Sequence, residues 1–510
     1  MNTLTNDTAG VVQTSGGIPA PKIEKIQPLW AVMFMVCGYL FVWLIHLYEP
    51  GVGITIFTGC FILLILLYYR HYYRKNGGEK SSASRGYLLL MALSAANFAI
   101  FTNQSLRFFN FLLLLALAIY WVASLGGSRL ENKLGSYFIS DMLNHTFAIP
   151  LRNFPFSFKF IGKGIGQNRR NKNLLAVLLG LFVSIPILAM ILPLLTRADA
   201  SFGTMIHSIT GYFWPELSAF LLRLLPAVLI GAYLFGLAYG SFSKSRIDSG
   251  SISHIEEGRA KRRKLPAVLI ITVLSTISIV YVLFFAAQIM TLADVMQNIR
   301  PEGFVYSEFA RRGFFELCMV AFINLFIMMC ASFFANRAAQ TVYKVFTIVL
   351  SVETILLIVS AIGKMVLYIQ AYGLTQLRVY TSFFMLLLLI VFLLIIVAQF
   401  RAFNLTKAIV LTCSLLFLAL CYTNPDGMIA RYNVNAYQAG TLKEMDTSIF
   451  YAAPEASYPA AEDLYATTED PDLKESLEMF FDTTEYSTYS FQEMNLQRLL
   501  YGGKGRPTGS

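Results

Sequence analysis

Apolar runs of about twenty residues recur from one end of the chain to the other, separated by short polar stretches. A helix rises ~1.5 Å per residue, so each run can cross a ~30 Å hydrocarbon core. Eleven such segments are predicted, at 29–47, 51–69, 86–102, 108–125, 174–195, 217–243, 265–291, 314–334, 345–368, 379–400 and 408–424. Arg223, Glu316, Glu353 and Lys364 are the charged residues inside them. The pattern predicts an all-α fold: a polytopic transmembrane helix bundle of about 11 helices over 29–424. A flexible cytoplasmic N-terminus (1–28) precedes it, and an acidic, helical C-terminal tail (425–510) follows. In that tail, Asp470-Pro471-Asp472 supplies an N-cap and a first-turn proline for a helix ending near Phe481, and 491–501 also reads as helical.

Composition agrees and narrows the class. Of 510 residues, 56% are hydrophobic and 14% charged, with mean hydropathy +0.59. Soluble domains carry about 25% charged residues. The six cysteines (37, 60, 318, 330, 413 and 421) all fall inside predicted spans, which excludes a secreted disulfide framework.

Net charge is +10, but its placement points to topology and not to nucleic acid. With the N-terminus inside, the cytoplasmic segments hold 26 Lys and Arg and the outer loops hold 6. Cytoplasmic loops of membrane proteins carry this excess. The N-terminus is therefore expected in the cytoplasm and the tail outside. The tail has 14 acidic and 6 basic residues, net −8, which leaves +18 on the rest. In the cytoplasmic stretch 126–173, Phe154, Phe156, Phe158 and Phe160 alternate with Asn153, Pro155, Ser157 and Lys159 beside Arg152, Lys163, Arg169, Arg170 and Lys172. That composition suits a segment on the anionic cytoplasmic leaflet or an ordinary basic anchor with buried rings. The bilayer is thus one expected partner, and an extracytoplasmic protein for the tail is another.

Chemistry-bearing motifs are sparse. The five histidines (46, 71, 145, 207 and 254) lack metal-ligand spacing, and no nucleophile motif or nucleotide loop is found. No catalytic residue, metal or cofactor is expected, and the chain leans away from an enzyme.

Three blocks carry a resemblance. The first runs from Tyr306 through Glu308, Arg311, Arg312 and Gly313 to Glu316 and Leu317. The second is Tyr372-Gly373-Leu374-Thr375-Gln376-Leu377-Arg378. The third runs from Asn424 through Asp426 and Arg431 to Asn433 and Val434. In this order they resemble bacterial membrane proteins grouped as domain of unknown function 4173, related to the 4153 group. Asp199, in a short Ala-Asp turn, and Asn495-Leu496-Gln497-Arg498 are similar to further elements of that family. The resemblance implies a multi-pass protein of the bacterial cytoplasmic membrane, and it implies no reaction.

Charges inside a bilayer need a partner, a wet cavity or a route to the interface. Glu316 and Lys364 are expected to pair at the outer rim, and Glu353 to meet Asn324 at mid-depth. Arg223, Arg311, Arg312, Lys364 and Arg378 converge on the side otherwise poor in positive charge. They are the candidate lining of a site for an anionic or polar small molecule or a lipid headgroup, with Glu316 beside Lys364 at the rim and Asn324 and Glu353 at mid-depth. Binding or transport there is the expected function. The alternative is a non-enzymatic sensor or assembly scaffold acting through the tail.

Overall fold

Side chains rich in Leu, Ile, Phe and Val form long helices here because backbone N–H and C=O groups find no water in lipid and must pair internally. The computed structural model describes residues 27–507 except 47, 77–83, 104, 132–133, most of 166–193, 211–213, most of 244–265, 297–313, 335–339 and 486–488. Helices and short connections make up the described residues, with no strand among them.

The first helices are α1 (Gln27–Leu44), α2 (Val52–Asn76), α3 (Ser84–Ile100) and α4 (Arg107–Gly126). The chain then forms α5 (Phe138–Leu143), a π-helical turn at Asn144–Ala148 and α6 (Ile149–Ile165). After α7 (Ala200–Thr210) come α8 (Trp214–Phe242), α9 (Ala267–Met296), α10 (Phe314–Phe334), α11 (Gln340–Tyr372), α12 (Gln376–Phe400) and α13 (Leu405–Tyr422). Ten of the eleven predicted segments coincide with described helices, and 174–195 lies largely outside the described residues. Nine helices among the described residues are long and apolar enough to cross a bilayer. The 17-residue α3 is just shorter than the shortest of these. Large apolar side chains such as Leu222, Val282 and Leu393 point outward, an arrangement suited to lipid and costly in water.

Two large cores hold the bundle. The first joins α1–α4, α6 and α8 around Phe34, Tyr68, Trp121, Phe160 and Phe235. Small residues let these backbones touch, as is common between membrane helices. A Cβ on Gly231 of α8 would lie 2.7 Å from Met35 Cα of α1, and one on Gly236 would lie 2.5 Å from the Pro150 carbonyl oxygen of α6. Gly236 and Gly240, where a Cβ would meet Pro150 and Asn153, are therefore where α6 seats on α8. The second core joins α9–α12 around Phe314, Leu357, Met385 and Phe392.

Beyond α13 the chain builds α14 (Pro425–Gln438), α15 (Ser448–Ala452), α16 (Pro454–Thr467), α17 (Pro471–Glu485) and α18 (Leu496–Tyr501). These gather around their own core of Phe450, Leu464, Leu477, Phe480 and Phe481. Asp470 caps α17 by accepting from the Asp472 N–H at 3.0 Å. The single helix expected over 491–501 is two elements, a 3-10 turn at Phe491–Glu493 and then α18. Ser490 and Glu493 close a capping box around the turn, and Asn495 then adopts an extended backbone and caps α18 anew.

The C-terminal helices sit on one side of the bundle, hereafter the tail side. There α1 ends and α2 begins, α3 ends and α4 begins, and α11 ends and α12 begins. On the far side, Asn404 Nδ2 donates to the Leu134 carbonyl at 2.6 Å and Tyr73 Oη to the Leu125 carbonyl at 3.1 Å.

Candidate functional site at the junction of bundle and tail

Two of the sequence blocks that carry the family resemblance clasp each other. Gly373, at φ +74°, ends α11 in the left-handed region that favours glycine. The chain then exposes the Leu374 backbone, and Asn433 of α14 brackets it: Oδ1 accepts from the Leu374 N–H and Nδ2 donates to the Leu374 carbonyl, both at 2.7 Å. Thr375 caps α12. Two turns back on α14, buried Asp426 accepts from Gln376 Nε2 at 2.8 Å and from the Tyr380 hydroxyl at 3.3 Å. Gln376 in turn accepts from Ser105 at the α3–α4 junction, at 2.9 Å.

A second contact is ionic. Arg498 of α18 is 4% exposed and reaches Glu49, in the α1–α2 loop, and Glu455, at the start of α16. Arg107 of α4 joins from the other side, 3.1 Å from Glu49. Glu455 also accepts from the Tyr489 hydroxyl, and the Tyr489 ring lies 4.4 Å from the Arg498 guanidinium carbon. Backbone bonds flank this cluster: the Val52 N–H donates to the Met494 carbonyl at 2.7 Å and the Thr102 N–H to Gln497 Oε1 at 2.8 Å. At its edge His46 meets Glu493 at 3.1 Å. Burial alone would raise the Glu493 carboxyl, but bonds from Ser490 and His46 outweigh it and hold the pKa below the usual value. The stability this group adds is present at neutral pH and is lost as pH falls through that depressed pKa.

Inside the second core, polar side chains bridge three helices. Ser278 of α9 donates to Glu353 of α11 at 2.9 Å. Tyr281 of α9 donates to Asn324 of α10 at 2.7 Å, and Asn324 donates to Thr354 of α11 at 2.9 Å. The expected Glu353–Asn324 bond is thus replaced by two separate links. Consecutive helical residues point about 100° apart. With Thr354 turned to α10, Glu353 faces α9. The Glu316 carboxylate acts electrostatically on the Lys364 ammonium.

The remaining sequence-selected residues scatter. Arg378 donates to the Tyr372 and Gly373 carbonyls and stacks 4.1 Å from the Tyr368 ring centre, so it closes the end of α11. Arg223 is half-buried on α8, with no partner among the described residues. Asp199 accepts from the Ser201 and Phe202 N–H groups and caps α7. Arg431 is exposed on α14. Tyr306, Glu308, Arg311, Arg312 and Gly313 lie outside the described residues.

Sequence reasoning missed Glu49 and Glu455 as partners of Arg498, and Arg107 as a second partner of Glu49. It also missed a buried cluster on the far side. His145, in the π-helical turn, has Nδ1 2.8 Å from the Asp141 carbonyl, so Nδ1 carries the proton and Nε2 accepts from the Ser128 hydroxyl at 2.7 Å. Asp141 Oδ1 accepts from the Leu130 N–H at 3.0 Å. Burial pushes the Asp141 carboxyl up to about 6 against the opposing Leu130 bond, and burial lowers the His145 imidazole. A raised carboxyl favours folding below its unfolded value and loses that advantage as pH rises through about 6. Asp141→Asn keeps the acceptor for Leu130. Its thermal midpoint is expected to gain on the parent's as pH rises from 5 to 8, and a scan of both proteins across that range checks it.

Residues 86–464 match the family described as domain of unknown function DUF4153. The chain belongs to that family. It is accordingly a multi-pass membrane protein of the DUF4153 family. The matched region includes the Leu374–Asn433 clasp, Asp426 and Glu455. It leaves out α1, α2 and the last helix α18, and these outlying parts are the ones joined through Glu49 and Arg498. No curated protein and no solved structure matches the chain.

Proposed function

We propose that this DUF4153 protein is a non-enzymatic membrane sensor or assembly scaffold whose C-terminal helices bind an extracytoplasmic protein. The orientation follows the 26-to-6 bias of Lys and Arg, with the N-terminus cytoplasmic and the tail outside. The three motif blocks support a bacterial cytoplasmic membrane and the nearer 4173 group. One observation carries the functional reading: the tail is keyed to three helix junctions by hydrogen bonds from their backbone N–H groups, at Val52, Thr102 and Leu374. A load on the tail therefore bears on α1–α4, α11 and α12 together. An open cleft of about 610 Å³ in the tail, lined by Tyr437, Gln438, Asp463, Thr467, Thr468, Glu469 and Asp470, offers an acidic seat for a basic segment.

Photo-crosslinking from position 468 in intact cells tests this. A discrete adduct with an extracytoplasmic protein is expected, weakened when Asp463, Glu469 and Asp470 are neutralised together. No adduct, or adducts with cytoplasmic proteins alone, would overturn it.

The polar links at Glu353 and Asn324 favour a second reading, binding or transport of an anionic or polar small molecule or lipid headgroup. On that reading, neutralising Arg223, Glu353 or Lys364 singly changes flux in folded protein. Unchanged flux in all three removes it.

A further inference from the structure

Helix α6 divides into three faces. At about 100° per residue, Leu151 and Phe158 lie within about 20° of each other, as do Arg152 and Lys159, and the two pairs are about 100° apart. All four side chains are exposed. The third face holds Ile149, Pro150, Asn153, Ser157 and Phe160, all buried. One sector is therefore seated on the bundle, one is apolar and open, and one is basic and open. Ile139, Leu143 and Phe147, exposed at four-residue intervals, carry the apolar sector back through the π-helical turn into α5.

Depth follows from the seat. Pro150 meets Gly236 of α8, and Asn153 meets Gly240, two to six residues before α8 ends at Phe242. At ~1.5 Å per residue this is roughly 3–9 Å from the helix end. Amphipathic helices that lie in the membrane plane bury their apolar face to about 5–10 Å. Pro155 sits on the open side, where its missing N–H leaves the Leu151 carbonyl without an intrahelical donor. Water and headgroups at that depth can supply one.

We infer that α5–α6 is an in-plane interfacial foot, with Arg152 and Lys159 forming a selective seat for an anionic phospholipid headgroup. The apolar sector enters the acyl region, and the two cations, one turn pair apart along the axis, face the phosphates. Unlike the proposed function, this inference stands without the tail and without a choice of inside and outside.

The test uses full-length protein equilibrated in mixed micelles of phosphatidylglycerol and phosphatidylcholine, with retained lipid measured by mass spectrometry. Wild type is expected to retain phosphatidylglycerol preferentially. Removing one basic side chain near a membrane surface should reduce that preference about fivefold. Arg152→Gln/Lys159→Gln should abolish most of it, while Arg401→Gln, a far-side arginine off α6, should leave it intact. Equal lipid selectivity in the α6 variant and wild type would overturn the inference. So would an equal loss in Arg401→Gln, since that would show a diffuse positive surface and no seat on α6. The substituted side chains are exposed, so a monodisperse, helical variant is expected in each case.

Discussion

Replacing Arg498 by alanine is expected to cost about 3–5 kcal/mol, the penalty for leaving a buried charge without its partner. Glu455 is 3% exposed and would remain beside α16 with only the Tyr489 hydroxyl to accept from. Glu49 would keep Arg107 and suffers less. Thermal unfolding should show the loss, and added protease should cut the tail faster than in wild type. The pair Arg498→Met/Glu455→Leu should be less damaging than Arg498→Ala alone, because removing both charges also removes their desolvation cost. A single substitution as mild as an ordinary surface change would mean that the ionic contact does not hold the tail.

Asn433→Ala is expected to cost about 2–6 kcal/mol, at roughly 1–3 kcal/mol for each of the two backbone groups left unpaired at Leu374. The loss should appear in the thermal midpoint and in faster proteolysis of the 373–376 connection. Asn433→Asp separates the two bonds. Its carboxylate still accepts from the Leu374 N–H but cannot donate to the Leu374 carbonyl, so it too should destabilise. If the aspartate variant matched wild type, the second bond would have no role.

The helices were legible because hydropathy is a property of single segments. The span 314–334 coincides with α10, and most other predicted bounds fall within a few residues of the helix ends. Contacts across the chain were less legible. Arg498 and Glu49 are 449 residues apart, and nothing in their local sequence marks them as partners. The motif blocks at 372–378 and 424–434 were visible as blocks, but their mutual clasp depends on α11 and α13 ending on the same side. Glu353 shows the same limit at closer range. Its depth was readable from helix rise, but whether it or Thr354 turned toward Asn324 depended on how α11 is rotated. The tail helices α14 and α16 carry a local signal of their own, since Pro425 and Pro454 each occupy a first helical turn.

The rigid seat of the tail on the bundle can be read from three backbone amides. The N–H groups of Val52, Thr102 and Leu374 belong to bundle junctions and donate to Met494, Gln497 and Asn433 of the tail. Hydrogen exchange of the full-length protein in lipid nanodiscs would report on all three. A docked tail predicts slow exchange at each, with Val52 and Thr102 released in Arg498→Ala and Leu374 in Asn433→Ala. Fast exchange at all three in the wild-type protein would contradict it.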